Sequence, residues 1–384
     1  MKLKFIKWQL REWAPILITL AFTSALFLFP YYKTTYVGIS TTDPDSNQWS
    51  LSYPSFVPYL IIGLLFSFIL PLISFSYRYT SKRADTYYQL PLKKNELRNT
   101  RILLGLIYMI VVLTFLFFLS MLCLYLNEQE LLLMVSLKAL NVEPYHFIYI
   151  VPFFFLSLFF LCGNYFINSC ICSFANSQKN AVLYLLIFQF VLCTGLFFFS
   201  AIPNNFMYNS VYISNTFDIF FTGGCFEPSG IMPLIGLDRL FSSLMRDGTP
   251  SFINKYSERL FIPSLICTGV FSILCAVYIL LTKEPSGEFS GKNATRYKWD
   301  FFIPHLPALL LSFFHSKTYT DTFDYFFAMF ITLAFTVLGH YLLTCLIRGT
   351  FKLKKKDLIC IGTISGINLV FWICNIIFSN YSLY

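Results

Sequence analysis

Residues 77–101 read YRYTSKRADTYYQLPLKKNELRNTR, a polar island between two long apolar runs. Arg78, Lys82, Arg83, Lys93, Lys94, Arg98 and Arg101 are opposed only by Asp85 and Glu96. Ser81 is placed to cap a short helix over 82–89. Ala84, Tyr87 and Tyr88 then share one helical face, at i, i+3 and i+4. Pro91 disfavours helical geometry at Leu90, so the chain turns there. Asn95 is placed to cap the next helix, and Glu96 in its first turn suits the positive end of the helix dipole. The pattern predicts a short amphipathic helix, a Leu-Pro break, and a helix that re-enters apolar sequence at Ile102. Basic residues collect in the cytoplasmic loops of any membrane protein, so the charge alone says no more than that. The helix, the break and the tyrosine face go further and predict a small side-chain face offered to a partner.

What flanks this island is oil. The chain is 57% hydrophobic and 12% charged, against about 25% charged residues in ordinary soluble domains. With 46 Phe and 25 Tyr, the composition excludes a water-soluble globule and predicts an all-α, polytopic transmembrane helical bundle. At about 20 apolar residues per crossing, spans are expected near 14–31, 56–76, 102–126, 146–171, 181–201, 261–282, 301–315, 325–347 and 358–379. The count is about 8–9, because 301–315 is short and holds Pro304 and Pro307. With the N-terminus cytoplasmic, Lys and Arg favour the cytoplasmic side about threefold and the acids lean the other way, as the positive-inside rule requires. A crossing by 301–315 keeps Arg348, Lys352 and Lys354–Lys356 inside. The expected location is the cytoplasmic (plasma) membrane, with residues 1–384 as one transmembrane domain.

The segments outside the spans carry their own signals. Residues 1–13 predict an amphipathic helix with the apolar stripe Leu3, Ile6, Leu10 and Trp13, lying in the membrane interface before the first span. No small-residue cleavage site follows the early apolar run, so a cleavable signal is not expected. In the external loop 32–55, KTTYVGIS and QWSLSY around TDPDSN predict a small hairpin. Residues 202–260 form the largest external loop, with short surface helices such as Leu237–Met245.

The missing chemistry narrows the function. Most of the 11 cysteines lie in apolar runs. Cys225 stands alone in the long external loop, and Cys170 with Cys172 lacks the second pair that a metal site needs. An ion-coupled carrier places ionisable residues inside the bilayer, whereas His340 is the one such residue well inside a span. His340, Asn164, Asn168, Gln189, Asn368 and Asn375 are expected to be interhelical hydrogen bonders. Gly287-Glu-Phe-Ser-Gly291-Lys292-Asn293 has three residues between its glycines where a P-loop has four, and Asn where a P-loop has Ser or Thr. No G-x-S-x-G elbow or H-E-x-x-H motif occurs. The chain is therefore not expected to be an enzyme or to hold a cofactor or metal. A membrane transferase would have to use His315 with Asp321 or Asp324, and an ATP-independent secondary carrier would need buried charges that the spans lack. The basic runs flank spans and have no soluble reading surface, so nucleic acid is not an expected partner; anionic lipid headgroups are the natural counter-charge.

Residues 77–101 resemble the first cytoplasmic loop of the ABC-2 type transporter permeases. The shared pattern is a K-R pair, D-x-Y, L-P, a basic pair and E-L, here Lys82, Arg83, Asp85, Tyr87, Leu90, Pro91, Lys93, Lys94, Glu96 and Leu97. Pro285, Ser286, Glu288, Ser290 and Gly291 resemble a second stretch found in Gram-positive members, with Gly287 as an apparent insertion and Glu284 where a basic residue is usual. The N-terminal amphipathic helix is similar to the family's connecting helix. The resemblance implies an export permease for a peptide, drug or lipid-like substrate, driven by ATP hydrolysed on a separate ATP-binding cassette subunit and paired with a second permease chain, alike or different. It further implies that the loop helix is a coupling helix gripped by the ATPase. The implied contact residues are Arg83, Ala84, Asp85, Tyr87, Tyr88, Leu90 and Pro91.

Overall fold

The computed structural model describes the backbone of residues 2–34, 39–41, 49–51, 56–89, 93–137, 149–206, 234, 237, 258–282, 306, 322–348 and 351–381. The described chain is helical apart from one small hairpin. The helices are α1 (Lys2–Thr34), α2 (Val57–Phe75), α3 (Ser81–Tyr88), α4 (Lys94–Leu137), α5 (Ile150–Phe174), α6 (Gln178–Phe206), α7 (Glu258–Leu281), α8 (Thr322–Arg348) and α9 (Lys355–Tyr381). A 3-10 turn, Ser76–Arg78, joins α2 to α3. The hairpin strands β1 (Ile39–Thr41) and β2 (Trp49–Leu51) pair antiparallel, with Ile39 opposite Leu51. The expected seventh span 301–315 apart from residue 306, most of the loop 202–260, and Cys225, Pro285–Gly291, His315 and Asp321 lie outside the described residues, as do the side chains of Asp324 and Asn375.

Among the described residues, five stretches are long and apolar enough to cross a membrane: Lys4–Tyr32, Val57–Arg78, Lys94–Asn127, Ile150–Phe174 and Met329–Ile347. Shorter apolar stretches cover Gln178–Leu192 and Leu265–Leu281. Phe22, Phe118 and Phe155 are each more than half exposed, at 63%, 64% and 63%. Large outward apolar side chains on several helices fit a surface that meets lipid rather than water.

The first of two compact units comprises Met1–Ser74, Leu92–Asn168 and Gly230–Leu280. Within it α1 and α4 run parallel. Arg101 meets Gln9 near their starts, Trp13 sits 6.5 Å from Tyr108, and Asn127 Nδ2 donates to the Tyr32 carbonyl further along. α2 and α5 run the opposite way. At their N-terminal ends Phe56 and Phe153 pack on each other at 4.7 Å, and Phe154 lies 4.6 Å from Phe117 of α4. Toward their C-terminal ends, the Tyr165 hydroxyl donates to the Ile102 carbonyl at 2.7 Å.

Lipid tails are as apolar as the helices, so burial of oil does not by itself hold helices together; close packing and hydrogen bonds do. Both are present. A Cβ on Gly105 would come within 2.5 Å of the Tyr165 hydroxyl and 2.9 Å of Ser74 Oγ, so only glycine lets α4 approach this closely. Gly163 gives the same clearance to Ser272 of α7. Asn164 Nδ2 donates to Ser67 Oγ at 2.8 Å, and Asn168 Nδ2 to the Ser67 carbonyl at 3.0 Å. The expectation that these amides glue helices together holds.

The expected interfacial helix 1–13, described from Lys2, and the expected span 14–31 are one continuous helix, α1, which passes through Pro15 and Pro30. Its buried line is Phe5, Gln9, Trp13, Leu17, Leu28 and Tyr32. Of the expected stripe, Trp13 lies on this line, while Leu10 is 37% exposed. The presence of α4 selects the buried face, and that choice brings in Gln9, a polar residue, because α4 supplies Arg101 to meet it.

The second unit comprises Phe75–Pro91, Ser169–Ser229 and Leu281–Tyr384. In it α8 and α9 form a helical pair, bridged by Asn368 Nδ2 and Thr336 Oγ1 at 3.5 Å, and α9 also packs on α6. Asp357, fully buried in the first turn of α9, accepts from the Lys354 backbone N–H at 2.9 Å. That closes one of the otherwise unsatisfied donors at the helix start. His340 is buried on α8, and its carbonyl accepts from Thr344 Oγ1.

Candidate functional site

The short helix predicted in the polar island is α3. It starts one residue early. Thr80 is extended, at φ −129° and ψ 133°, and its carbonyl accepts from the Ala84 N–H at 2.9 Å, so Thr80 takes the cap position assigned to Ser81. The Thr80 side chain makes no capping bond. The helix closes at Gln89, whose N–H donates to the Asp85 carbonyl at 3.2 Å. Leu90 and Pro91 lie outside the described residues, as does the side chain of Arg83.

The tyrosine face of α3 turns inward. Ala84 is fully buried, Tyr87 is 6% exposed and Tyr88 is half-buried. Their neighbour is Tyr77 of the 3-10 turn, with ring centroids 5.4 Å from Tyr87 and 6.3 Å from Tyr88, the latter nearly perpendicular. Aromatic rings in such tilted and edge-to-face pairs contribute about 0.5–1.5 kcal/mol beyond their burial. Tyr77 reaches them across a short turn, so the chain covers this face itself. Among the described side chains of this segment, Asp85, Thr86 and Gln89 face outward and are exposed.

The turn beneath α3 is pinned by a buried cation. Arg78 Nη1 donates to the Ser173 carbonyl in the last turn of α5 at 2.8 Å, and Nη2 to Asn176 Oδ1 at 3.5 Å. Tyr79 is buried next to Cys172, and that burial raises its phenol pKa well above the usual range.

The second half of the polar island belongs to the first unit. α4 begins at Lys94, and the Leu97 N–H donates to the Lys93 carbonyl at 3.0 Å. Asn95 thus sits inside the first turn instead of capping it, while Glu96 is in that turn as expected. Lys93 and Lys94 are exposed. Arg98 and Arg101 are not: they are 2% and 1% exposed. Arg98 donates from Nη2 to the Ile279 carbonyl, in the last turn of α7. Arg101 donates from Nε to the Ser74 carbonyl at 2.8 Å, from Nη2 to the Ile73 carbonyl at 3.1 Å, and from Nη1 to Gln9 Oε1 at 3.2 Å. Its guanidinium also lies 5.0 Å over the Trp13 ring.

Arg78, Arg98 and Arg101 thus do the same job. Each reaches carbonyls at a helix C-terminus, which have no intrahelical donor and carry the negative end of the dipole. The planar fork of arginine satisfies several such acceptors at once, and its charge is more weakly hydrated than that of lysine. Composition hid this role. The signal was present nonetheless: the residues are arginine rather than lysine, and Arg98 and Arg101 sit at i and i+3 on the apolar boundary.

No cluster of three or more His, Cys, Asp or Glu close enough to share a metal ion occurs among the described residues. Comparison with family models, with curated proteins and with solved structures returned no match to the chain.

Proposed function

We propose that this chain is the membrane-spanning permease subunit of an ATP-driven exporter of the ABC-2 type. Its N-terminus is cytoplasmic, it crosses the plasma membrane eight or nine times, and a separate ATP-hydrolysing subunit grips α3. The observation that carries this reading is α3 itself: a two-turn helix between two long apolar helices, fixed from beneath and polar on its outer face. A lever for an external motor needs a surface to be gripped and a stiff connection to what it moves. Asp85, Thr86 and Gln89, with the edge of Tyr88, form the surface; Arg83, Leu90 and Pro91 are further contact residues that the family resemblance implies. Ala84 and Tyr87 join Tyr77 to form the connection, and Arg78 ties that turn to the end of α5. Closure of the ATPase around bound ATP draws on α3 and, through Arg78, on α5. A second permease chain completes the path for a peptide, drug or lipid-like substrate.

The test is purification of the full chain from its own membranes in mild detergent. The expected result is a P-loop ATPase subunit in comparable amount and ATP hydrolysis by the preparation. Asp85→Lys combined with Thr86→Trp should cut that association at least tenfold while the membrane level of the chain is unchanged. A preparation without an ATPase, from cells whose export is insensitive to ATP depletion, overturns the reading.

A further inference from the structure

The first turns of α1 carry two faces with different chemistry. Phe5, Gln9 and Trp13 are buried, and Gln9 and Trp13 hold Arg101. Lys4, Lys7, Trp8 and Arg11 are exposed. At 3.6 residues per turn these four fall within an arc of roughly 100°, on the side away from the buried line. Trp8 is 47% exposed and tilts against Phe5 at 5.9 Å. Glu12 accepts from Gln9 Nε2 at 3.0 Å. Lys4, Lys7, Trp8 and Arg11 all lie in the first turns of the apolar stretch Lys4–Tyr32.

We infer that Lys4, Lys7 and Arg11, with Trp8, form a binding face for anionic lipid headgroups. The argument is charge complementarity at a fixed depth. Three cations and an indole lie on one face at the very start of a stretch long enough to span, and the ends of a span are where phosphate groups lie and where Trp prefers to sit. The helix cannot roll to hide that face, because its other side is held by the Gln9 and Trp13 contacts with Arg101, which in turn holds the last carbonyls of α2. A headgroup on the outer face therefore presses α1 onto the Arg101 junction. This inference is independent of the permease reading.

The experiment compares phospholipids retained by the full chain after detergent extraction from bilayers of phosphatidylcholine mixed with phosphatidylglycerol, read by native mass spectrometry. The wild type should retain phosphatidylglycerol several-fold above its share of the bilayer. Lys4→Gln with Lys7→Gln and Arg11→Gln should abolish most of that enrichment; each charge removed is worth about fivefold in headgroup affinity. Lys352→Gln with Lys355→Gln and Lys356→Gln removes the same charge from another exposed basic run and should leave the enrichment in place. Lys4→Arg with Lys7→Arg keeps the charge and should keep the enrichment. Equal loss in the two Gln triples would reduce the effect to net charge and overturn the site. So would no enrichment in the wild type, or an N-terminal triple that changes the oligomeric mass while lipid retention stays as it was.

Discussion

The two halves of the polar island make opposite uses of similar sequence. In the first half, Ser81–Tyr88, the apolar ring face is covered by the chain's own Tyr77, and among the described side chains Asp85 and Thr86 face outward. In the second half, Lys93–Arg101, two of the four cations point into the protein and close helix ends, and the two lysines stay outside. The difference teaches that a run of positive charge is not one property. Lysine is a compact, strongly hydrated point charge that stays in water. Arginine can be buried where several carbonyls converge, as they do at a helix C-terminus.

The sharpest way to break this comparison is at Arg101. Arg101→Ala removes three hydrogen bonds from a buried cation and leaves carbonyls of α2 without donors, and it should destabilise the chain by about 4 kcal/mol. Arg101→Lys should recover less than half of that, since one ammonium cannot reach Ser74, Ile73 and Gln9 together. Thermal or denaturant unfolding of the purified chain in detergent measures both. Full rescue by lysine would show that charge matters here and geometry does not.

Next in size is Tyr77→Ala. It deletes a fully buried ring on which Tyr87 and Tyr88 pack, at a cost of about 3 kcal/mol. Hydrogen exchange over 81–89 should rise more than exchange anywhere in α4. A uniform rise would mean that α3 has no seating of its own. The smallest effect belongs to Lys93→Gln with Lys94→Gln, which should move stability by no more than about 0.5 kcal/mol. A larger loss would place the exposed lysines in the same class as the buried arginines.

Much of the frame was legible from residues alone. The existence of α3, the re-entry at Ile102, the hairpin around 42–48 and the amide glue of Asn164, Asn168 and Asn368 all follow from local chemistry: capping, turn formation, and the cost of an unpaired amide in oil. Where the sequence reading slipped, it slipped in phase. Thr80 replaced Ser81 as the cap and Lys93 replaced Asn95, while the line of α1 that the protein buries is Phe5, Gln9 and Trp13, of which Trp13 alone belongs to the expected interfacial stripe. A cap needs only a suitable residue near a helix start, and 80–81 and 93–95 each offer more than one. The α1 stripe was chosen as the most apolar line, but the face that α4 covers contains a glutamine because α4 brings an arginine to it.

Apolar run length and charge asymmetry fix that this chain forms long helices with an oily exterior, because each crossing must satisfy its own backbone over about 30 Å. Those properties are additive along the chain and need no partner. Which side of each helix is covered, and which cations leave water, depends on what stands opposite. The Tyr87 ring turned inward because Tyr77 was within reach, and Arg101 was buried because α2 ends beside it. Only the packed chain holds that information, since periodicity gives a helix its faces but not the neighbour that each will meet.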